Sequence, residues 1–561
     1  MREAICRWLV IGAGIVSLAA LTGCGNGGNV TNDRNALAQS PDSSIAGPAP
    51  INLNNAAAWN TVPEAEFMQD RTLFGTQLAL TGPARLSYTL TSDELAHTAH
   101  GLAVFIDPRL SNSSGVGPYF NQRNCLGCHQ SQLSSPPPDF ADPANGGYSS
   151  FPPRIPTPVS RARTEDAFLV FGDYNPGSGA FNPLAASGGP VLHRQNLPGF
   201  PPQSLPPLSG GGLIRVTGMR SGPPYIGRGL LEALPDDEIL MRTDDFGTGI
   251  NGPGIRGMEN RNSEAADGFI GSSPTVRLSR FGLRAAGPSL LQFDTGGLTG
   301  EIGLTTPFTP NENVPGFSDG VPDPETTVDD VHDLRTLIRM MAPPVRHLNV
   351  GPAALVNGPN NINNDTIQQP PDNGADLLSS ENRGRVLFGA DYTLPFGFRP
   401  PPSGAQTPMA LLGDSNGPNL NCAGCHTPVM ISGISPAEVG AEHLTGKRFY
   451  PFSDMLIHHM GTIDIDYVLP LNVAGRATPD QFRTPPLMGL GLTGPPFWHD
   501  GRFRAELGID EALREAIEAH DSPGSEAQIQ AQAFKMLEAN PITVNGVTYT
   551  AKDLMHFLEG L

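Results

Sequence analysis

The chain has 561 residues and a formal net charge of −20, with 35 Lys and Arg against 55 Asp and Glu. An acidic surface repels phosphate backbones, so nucleic acid is not expected as a partner, whereas a basic electron-donor protein would be attracted. The 66 Gly and 57 Pro make up about 22% of the chain, which predicts a folded, loop-rich protein of roughly two to four domains.

The N-terminus carries the features of an export signal. Arg2 and Arg7 precede an apolar run at residues 8–21. The run is followed by small residues before Cys24. The run is short for a membrane span. Residues 1–24 resemble a bacterial lipoprotein signal whose cysteine receives lipid, with an uncleaved anchor helix as the alternative. We therefore expect an exported, periplasmic or cell-envelope protein held on a membrane by a lipid anchor.

Residues 25–59 contain almost no large apolar side chains. Such a segment cannot bury enough surface to offset its ordering entropy, so it is predicted to be a flexible tether.

Four of the six cysteines lie in two copies of the pattern Cys-x-x-Cys-His. The first copy is "NCLGCHQ" and the second is "NCAGCHT". The residues concerned are Cys125, Cys128, His129, Cys422, Cys425 and His426.

This pattern predicts covalent attachment of two c-type haems. Two thiols at this spacing bond the two vinyl groups of one porphyrin, and the adjacent histidine then lies under the iron. A zinc ribbon is the main alternative, but its cysteine pairs lie about 15–20 residues apart and need no histidine after each pair. Here the two copies are about 300 residues apart.

The surrounding periodicity predicts cytochrome c-like domains. A short helix in "SSENRGRVLFGADYTL" precedes the second motif, and the last helix, in "TYTAKDLMHFLEGL", has an apolar face and a capping-box pair, Thr550 and Asp553. Crossed first and last helices are typical of cytochrome c. We predict a mainly α fold with two cytochrome c-like haem domains, long Gly/Pro-rich loops and few short strands. The predicted boundaries are 60–350 for the N-terminal haem domain, 351–375 for a linker and 376–561 for the C-terminal haem domain.

The run "FRTPPLMGLGLTGPPFWHDGRFRAELGIDEALREAIEAH" resembles the C-terminal signature of the dihaem oxidoreductases, relatives of bacterial dihaem cytochrome c peroxidases. Further matches are "IGRGLLEALPDDEIL", "RFGLRAAGPSLLQ", "NRGRVLFGADY" and "FYPFSDMLIHHMGT". The resemblance implies an exported enzyme with one haem for chemistry and one that receives electrons from a small redox protein. It also allows a calcium ion between the domains, although no acidic loop motif supports one.

The sixth ligand decides whether a haem iron is closed or open to a substrate. His520 falls on the apolar face of "GIDEALREAIEAHD", in the place from which relatives supply a distal ligand, and it is the predicted ligand of the C-terminal iron. Met460 and His458 are rivals for which a structural role is favoured. For the N-terminal iron the candidate is His193, the first histidine after the attachment motif.

Residues for peroxide chemistry are less defined. Glu165 and Asp166 are candidates for an acid/base group, with surface charge as the alternative. Trp498, in "FWHDGR", is a candidate for a shortened electron path, with plain packing as the alternative.

Three functions stay open from the sequence. The first is an enzyme that reduces hydrogen peroxide with electrons from an external donor. The second is an oxygen- or peroxide-dependent oxidase of an organic substrate, and the third is a dihaem electron carrier without catalysis.

Overall fold

A computed structural model describes residues 62, 65, 90–106, 116–125, 167–208, 210–243, 255–264, 275–343, 380–402, 404–434, 439–469, 477–493, 495–503 and 508–561. The predicted signal with Cys24, the tether and the linker lie outside these ranges, as do Cys128, His129, Glu165 and Asp166. None of the helices within the ranges is long and apolar enough to cross a membrane.

The helices fall into two groups along the chain. The first group is α1 Ser92–Ile106, α2 Arg228–Glu232, α3 Asp236–Leu240, α4 Leu290–Gly297 and α5 Val328–Arg339, with a π-helical turn at Leu298–Ile302. The second group is α6 Ser380–Phe388, α7 Pro408–Leu412, α8 Ala441–Leu444, α9 Leu490–Thr493, α10 Ile509–Glu518, α11 Gln528–Ala539 and α12 Ala551–Glu559.

The described residues also form fourteen strands in six small antiparallel sheets. The strands are β1 Tyr119–Phe120, β2 Ala167–Tyr174, β3 Phe181–Asn182, β4 Val191–Leu192, β5 Gln195–Asn196, β6 Ile214–Ser221, β7 Arg261–Glu264, β8 Thr275–Leu278, β9 Met430–Ile431, β10 Arg448–Phe449, β11 Ile457–His459, β12 Gln481–Arg483, β13 Ile542–Val544 and β14 Val547–Tyr549.

The predicted mainly α class with few short strands is therefore wrong. The largest sheet joins the eight-residue strands β2 and β6 and adds β3 and β4 along the other edge of β2. The sequences "AFLVFGDY" and "IRVTGMRS" contain the aromatic and β-branched residues that favour strands. They lie among Gly/Pro-rich stretches. Such stretches predict loops, and this composition hid the two strands.

Each half of the chain repeats one helix crossing. α1 packs on α5, and α6 packs on α12. A glycine allows each close approach, because a Cβ at Gly101 would collide with Asp333 O and a Cβ at Gly384 would collide with Asp553 O. The crossing of α6 and α12 confirms the helix pair predicted around the second motif.

The later helix of each pair begins with the same capping box. Thr550 and Asp553 form the one predicted from the sequence at α12, and Thr327 with Asp330 forms its equivalent at α5. In each box the threonine side chain accepts from the N3 backbone and the aspartate accepts from the threonine N–H, which satisfies two otherwise unpaired donors.

Two large apolar cores follow from these crossings. One surrounds α1, α2, α4 and α5, and Cys125 packs against it. The other surrounds α6, α7, α11 and α12, and Cys422 packs against it. The first core also contains later residues such as Met430 and Phe449, so the C-terminal half contributes side chains to the N-terminal core. The domain boundaries stay a prediction.

Candidate haem-binding sites

The C-terminal attachment segment is held against the end of α6. The Leu420 N–H donates to Leu387 O over 2.7 Å, and Asn421 adopts a left-handed φ of 60° that starts the helical turn Cys422–Gly424. The His426 N–H then donates to Cys422 O over 2.9 Å. This turn brings the predicted attachment residues together on one short loop.

The two thiols of this loop suit covalent attachment. Cys422 and Cys425 are both free. Burial raises the pKa of the Cys422 thiol to about 12, and the neighbouring Cys425 adds to the rise. Two free thiols on one short turn are the donor set that two thioether bonds to a porphyrin require.

His426 is oriented for iron binding. Its Nδ1 donates to Phe452 O over 3.1 Å, which places the ring proton on Nδ1 and leaves the Nε2 lone pair available. The Phe388 ring lies 6.5 Å from the His426 ring, and Phe388, Phe452 and Phe557 form an aromatic cluster around it. Burial lowers the pKa of His426 to about 4, so the imidazole is neutral.

His520 is oriented in the same way as His426. It follows the end of α10, which Asp510 and Glu511 open as predicted, and its Nδ1 donates to Ala516 O over 2.8 Å. Burial lowers the pKa of His520, and His520 in turn helps to lower the pKa of His426. The two half-buried rings are thus close enough for their charges to interact, and each has Nε2 available. Two neutral imidazoles and two thiols fit a c-type haem with histidine on both sides of the iron.

Trp498 touches the predicted distal ligand. Its ring meets the His520 ring edge to face, with centroids 4.9 Å apart and an interplanar angle of 84°. Trp498 takes a left-handed φ of 79°, which a bulky residue rarely adopts, and its Nε1 donates to Asp464 Oδ2 over 3.0 Å. A strained backbone persists only where surrounding contacts hold it, so the structure fixes the position of this indole.

Asp464 fixes the whole loop that carries Trp498. The side chain of Asp464 is buried and also bonds to His499 Nε2 at 2.5 Å and Arg502 Nη2 at 3.0 Å. Burial alone would raise the pKa of Asp464, but His499 and Arg502 hold it below its usual value. The His499 carbonyl accepts from Ser221 N–H at the end of β6, so the loop also links the two halves of the chain.

The N-terminal attachment segment is described as far as Cys125. Burial raises the pKa of the Cys125 thiol to about 12, and the nearby Asp294 carboxyl adds to this rise. Just upstream, the Asn121 N–H donates to Glu301 O over 2.7 Å, and Asn121 Nδ2 donates to Glu301 Oε2 over 2.8 Å. The π-helical turn Leu298–Ile302 therefore packs directly on the approach to the first motif.

The family described as "Di-haem oxidoreductase, putative peroxidase" matches this chain over residues 214–321 and 411–543. The match confirms the family that the motifs indicated. Its second segment contains the C-terminal attachment loop and His520, and its first contains Glu301. Neither a curated protein nor a solved structure matches the chain.

The two rivals of His520 for the C-terminal iron, His458 and Met460, are engaged in other contacts. His458 is buried, with Nε2 2.8 Å from Asp454 and Nδ1 2.9 Å from Glu526. Although burial opposes its charge, the neighbouring Cys425 sulfur and Asp454 hold the pKa of His458 well above its usual value. A doubly bonded imidazolium has no lone pair for iron, so the geometry favours a structural role.

Met460 lies in the short backbone ladder next to His458. Its N–H donates to Asp480 O over 2.9 Å, and it forms an isolated bridge with Ser525. The backbone of Met460 thus joins β11 to the loop before α11.

His193 is almost completely buried and forms hydrogen bonds to two other loops. Its Nδ1 lies 2.9 Å from Gln203 Oε1, and its Nε2 lies 2.7 Å from Gly300 O. Burial lowers the pKa of His193. Because both ring nitrogens face protein oxygens, the described conformation favours a structural role over iron ligation.

Glu301 is a candidate that sequence reasoning missed. Burial raises the pKa of its carboxyl to about 7, against the smaller opposite effects of Asn121 and Arg194. A carboxyl of this kind both holds and releases a proton near neutral pH. It is separated from Cys125 by 176 positions in the sequence, and no local pattern marks it. Only the packing of the π-helical turn on Asn121 brings it to the site.

Three carboxylates of the described chain lie close enough together to offer oxygen ligands to a calcium ion. Glu312, Asp319 and Glu325 each place an oxygen within 4.8 Å of the others. Burial raises the pKa of Glu312 to about 7; the Asp319 N–H opposes the rise, and the neighbouring carboxylates add to it. Burial likewise raises the pKa of Glu325 to about 7.

Proposed function

We propose that the protein is an exported dihaem c-type oxidoreductase that reduces hydrogen peroxide with electrons from a small redox protein. The observation that carries the proposal is the shared hydrogen bonding of His426 and His520. In each ring Nδ1 donates to a backbone carbonyl and Nε2 is available. Together with the thiols of Cys422 and Cys425, these residues would hold a closed, six-coordinate haem.

The C-terminal site is the proposed point of electron entry. When bound, haem supplies one-electron chemistry there, and protein ligands on both faces of the iron exclude a substrate. His426 and His520 bind and orient the iron, and Cys422 and Cys425 fasten the porphyrin. Trp498, edge-on to His520, extends the aromatic path away from this site.

The N-terminal site is the proposed place of peroxide reduction, with attachment through Cys125, Cys128 and His129. Glu301 is the proposed acid/base group, because its buried carboxyl has a pKa of about 7 and its hydrogen-bond partner lies four positions before the motif. It would deliver a proton from its own carboxyl oxygen to the leaving oxygen of the peroxide, and then recover a proton from solvent.

Location and further ligands belong to the same proposal. Cys24 would carry the lipid that anchors the exported protein, and a Cys24→Ser variant should leave the membrane fraction. For the calcium ion allowed by the resemblance, Glu312, Asp319 and Glu325 offer the oxygen donors.

Haem counting tests the attachment. A variant with both Cys422→Ala and Cys425→Ala should keep one covalent haem where the wild type has two, measured on denatured, acid-extracted protein. Cys6→Ala is the matched control, because the proposed signal peptide removes this residue. If the double variant retained two haems, attachment at the second motif would be refuted.

A further inference from the structure

Two arginines are buried without a carboxylate partner. Arg228 is the first residue of α2 and Arg483 is the last of β12, and each has 5% of its surface exposed. Some buried arginines of the described chain pair with acids, as Arg335 and Arg339 do with Glu232, whereas Arg284 and Arg385 bind only backbone carbonyl oxygens. Buried cations are normally paired, because transfer of an unpaired charge from water to the interior is costly.

The hydrogen bonds of the pair leave several donors unused. Arg228 Nε donates to Pro224 O over 2.7 Å, and no described group accepts from its two terminal nitrogens. Arg483 Nε donates to Gly282 O over 2.9 Å and Nη1 donates to Thr484 O over 2.9 Å, which leaves Nη2 without an acceptor among the described residues. Three N–H-bearing nitrogens therefore remain to bind an anion.

The two charges also act on each other. Burial lowers the pKa of Arg228 to about 10. Burial lowers the pKa of Arg483 to about 9; the Arg228 charge adds to the fall, and the Asp454 carboxylate opposes it. Two adjacent buried cations destabilise the fold unless an anion lies between them.

Each arginine belongs to an element that reaches one of the attachment segments. Arg483 Nη1 contacts Met455 Sδ at 3.7 Å, and the neighbouring Asp454 N–H donates to Cys425 O over 2.9 Å. On the other side, α2 belongs to the apolar core against which Cys125 packs. Arg502, in the loop that carries Trp498, is already bound by Asp464 and Asp500.

We propose that Arg228 and Arg483 together bind a carboxylate at the junction of the two halves, and that this carboxylate is a haem propionate. Guanidinium groups bind carboxylates through paired N–H donors, which matches the unused nitrogens. The inference rests on the haem attachment proposed above. The cationic pair would stabilise the reduced form of that haem relative to the ferric form, and so raise its reduction potential.

Redox titration of the holoprotein tests the proposal. Arg228→Gln and Arg483→Gln should each lower the midpoint potential of one haem, changing its oxidised-to-reduced ratio about tenfold at fixed ambient potential, which is 59 mV for a one-electron couple. The propionate bending band in resonance Raman spectra should shift as well. Arg215→Gln is the control, because Arg215 is paired with Asp173 in the large sheet. Arg483→Lys, which keeps the charge, should restore most of the potential.

The outcomes separate the possible failures. Unchanged potentials and an unchanged propionate band in both Gln variants would overturn the proposal. If acetate at constant ionic strength shifts the wild-type potential and the Gln variants lose that response, a free anion occupies the pair and the propionate assignment is wrong. A wild type without two covalent haems would instead refute the proposed function. If a Gln variant does not fold, the Arg→Lys variants replace it: a shifted propionate band at a near-normal potential supports the propionate, and an unchanged band overturns it.

Discussion

Gly384→Ala tests the helix crossing that supports the C-terminal haem site. An alanine Cβ there would lie 2.6 Å from Phe557 Cβ and would also collide with Asp553 O, whereas ordinary contact begins at 3.4 Å. The helices α6 and α12 must then separate by about 0.8 Å or more, because interiors are close-packed. Overpacking of this kind costs about 1–3 kcal/mol and alanine regains up to about 1 kcal/mol of helix propensity, so we expect a net loss of about 1 kcal/mol.

Urea unfolding of the holoprotein, followed by circular dichroism and the Soret band, measures this loss. The midpoint should fall without a change in the denaturant dependence. The Soret band should also change before global unfolding, because Leu387 O of α6 holds Leu420 N–H ahead of the attachment loop. Gly296→Ala in α4 is the control, since no atom lies within 4 Å of its added Cβ. Equal stability of the two variants would refute the close crossing.

Three further predictions concern the haem sites. His520→Ala should turn the C-terminal haem from low spin to high spin in electron paramagnetic resonance and lower peroxide turnover; an unchanged spin state would leave His520 as a core histidine. Glu301→Gln should reduce turnover at pH 6 with both haems retained. In the wild type, turnover should fall as pH rises through about 7, because the raised pKa keeps the Glu301 proton below that pH and releases it above; a pH profile shared with Glu301→Gln would contradict this. Trp498→Phe, which keeps an aromatic ring but loses the bond to Asp464, should slow electron transfer between the haems without altering haem content, and an unchanged rate would assign Trp498 to packing.

The features that the sequence predicted are local ones. Cys422, Cys425 and His426 are close in sequence, and the predicted helix before them and the capping box at Thr550 depend on neighbouring residues. The helical spacing of His520 likewise placed it on a face that proved to lie near His426. Short-range patterns of this kind are what periodicity and capping rules detect.

The features that the sequence did not predict depend on distant partners. The four-stranded sheet pairs β2 with β6 across an interval of Gly/Pro-rich chain, so no hairpin turn marks it. Glu301 meets Asn121 across 180 positions of the N-terminal half, and the charge of Arg228 acts on Arg483 from the other half of the chain. An isolated glutamate or arginine in a sequence is most often a surface charge, and only burial reveals the exceptions.

The central claim is that one haem is closed by protein ligands while the other reacts with peroxide. Electron paramagnetic resonance of the wild-type holoprotein in the half-reduced state tests it most directly. We predict a high-spin ferric signal from the N-terminal haem that disappears on addition of stoichiometric hydrogen peroxide, while the C-terminal haem shows low-spin bis-histidine character when it is reoxidised. Two haems that remain low spin at every stage of reduction, and spectra that peroxide does not change, would contradict the peroxidase assignment and identify a dihaem electron carrier.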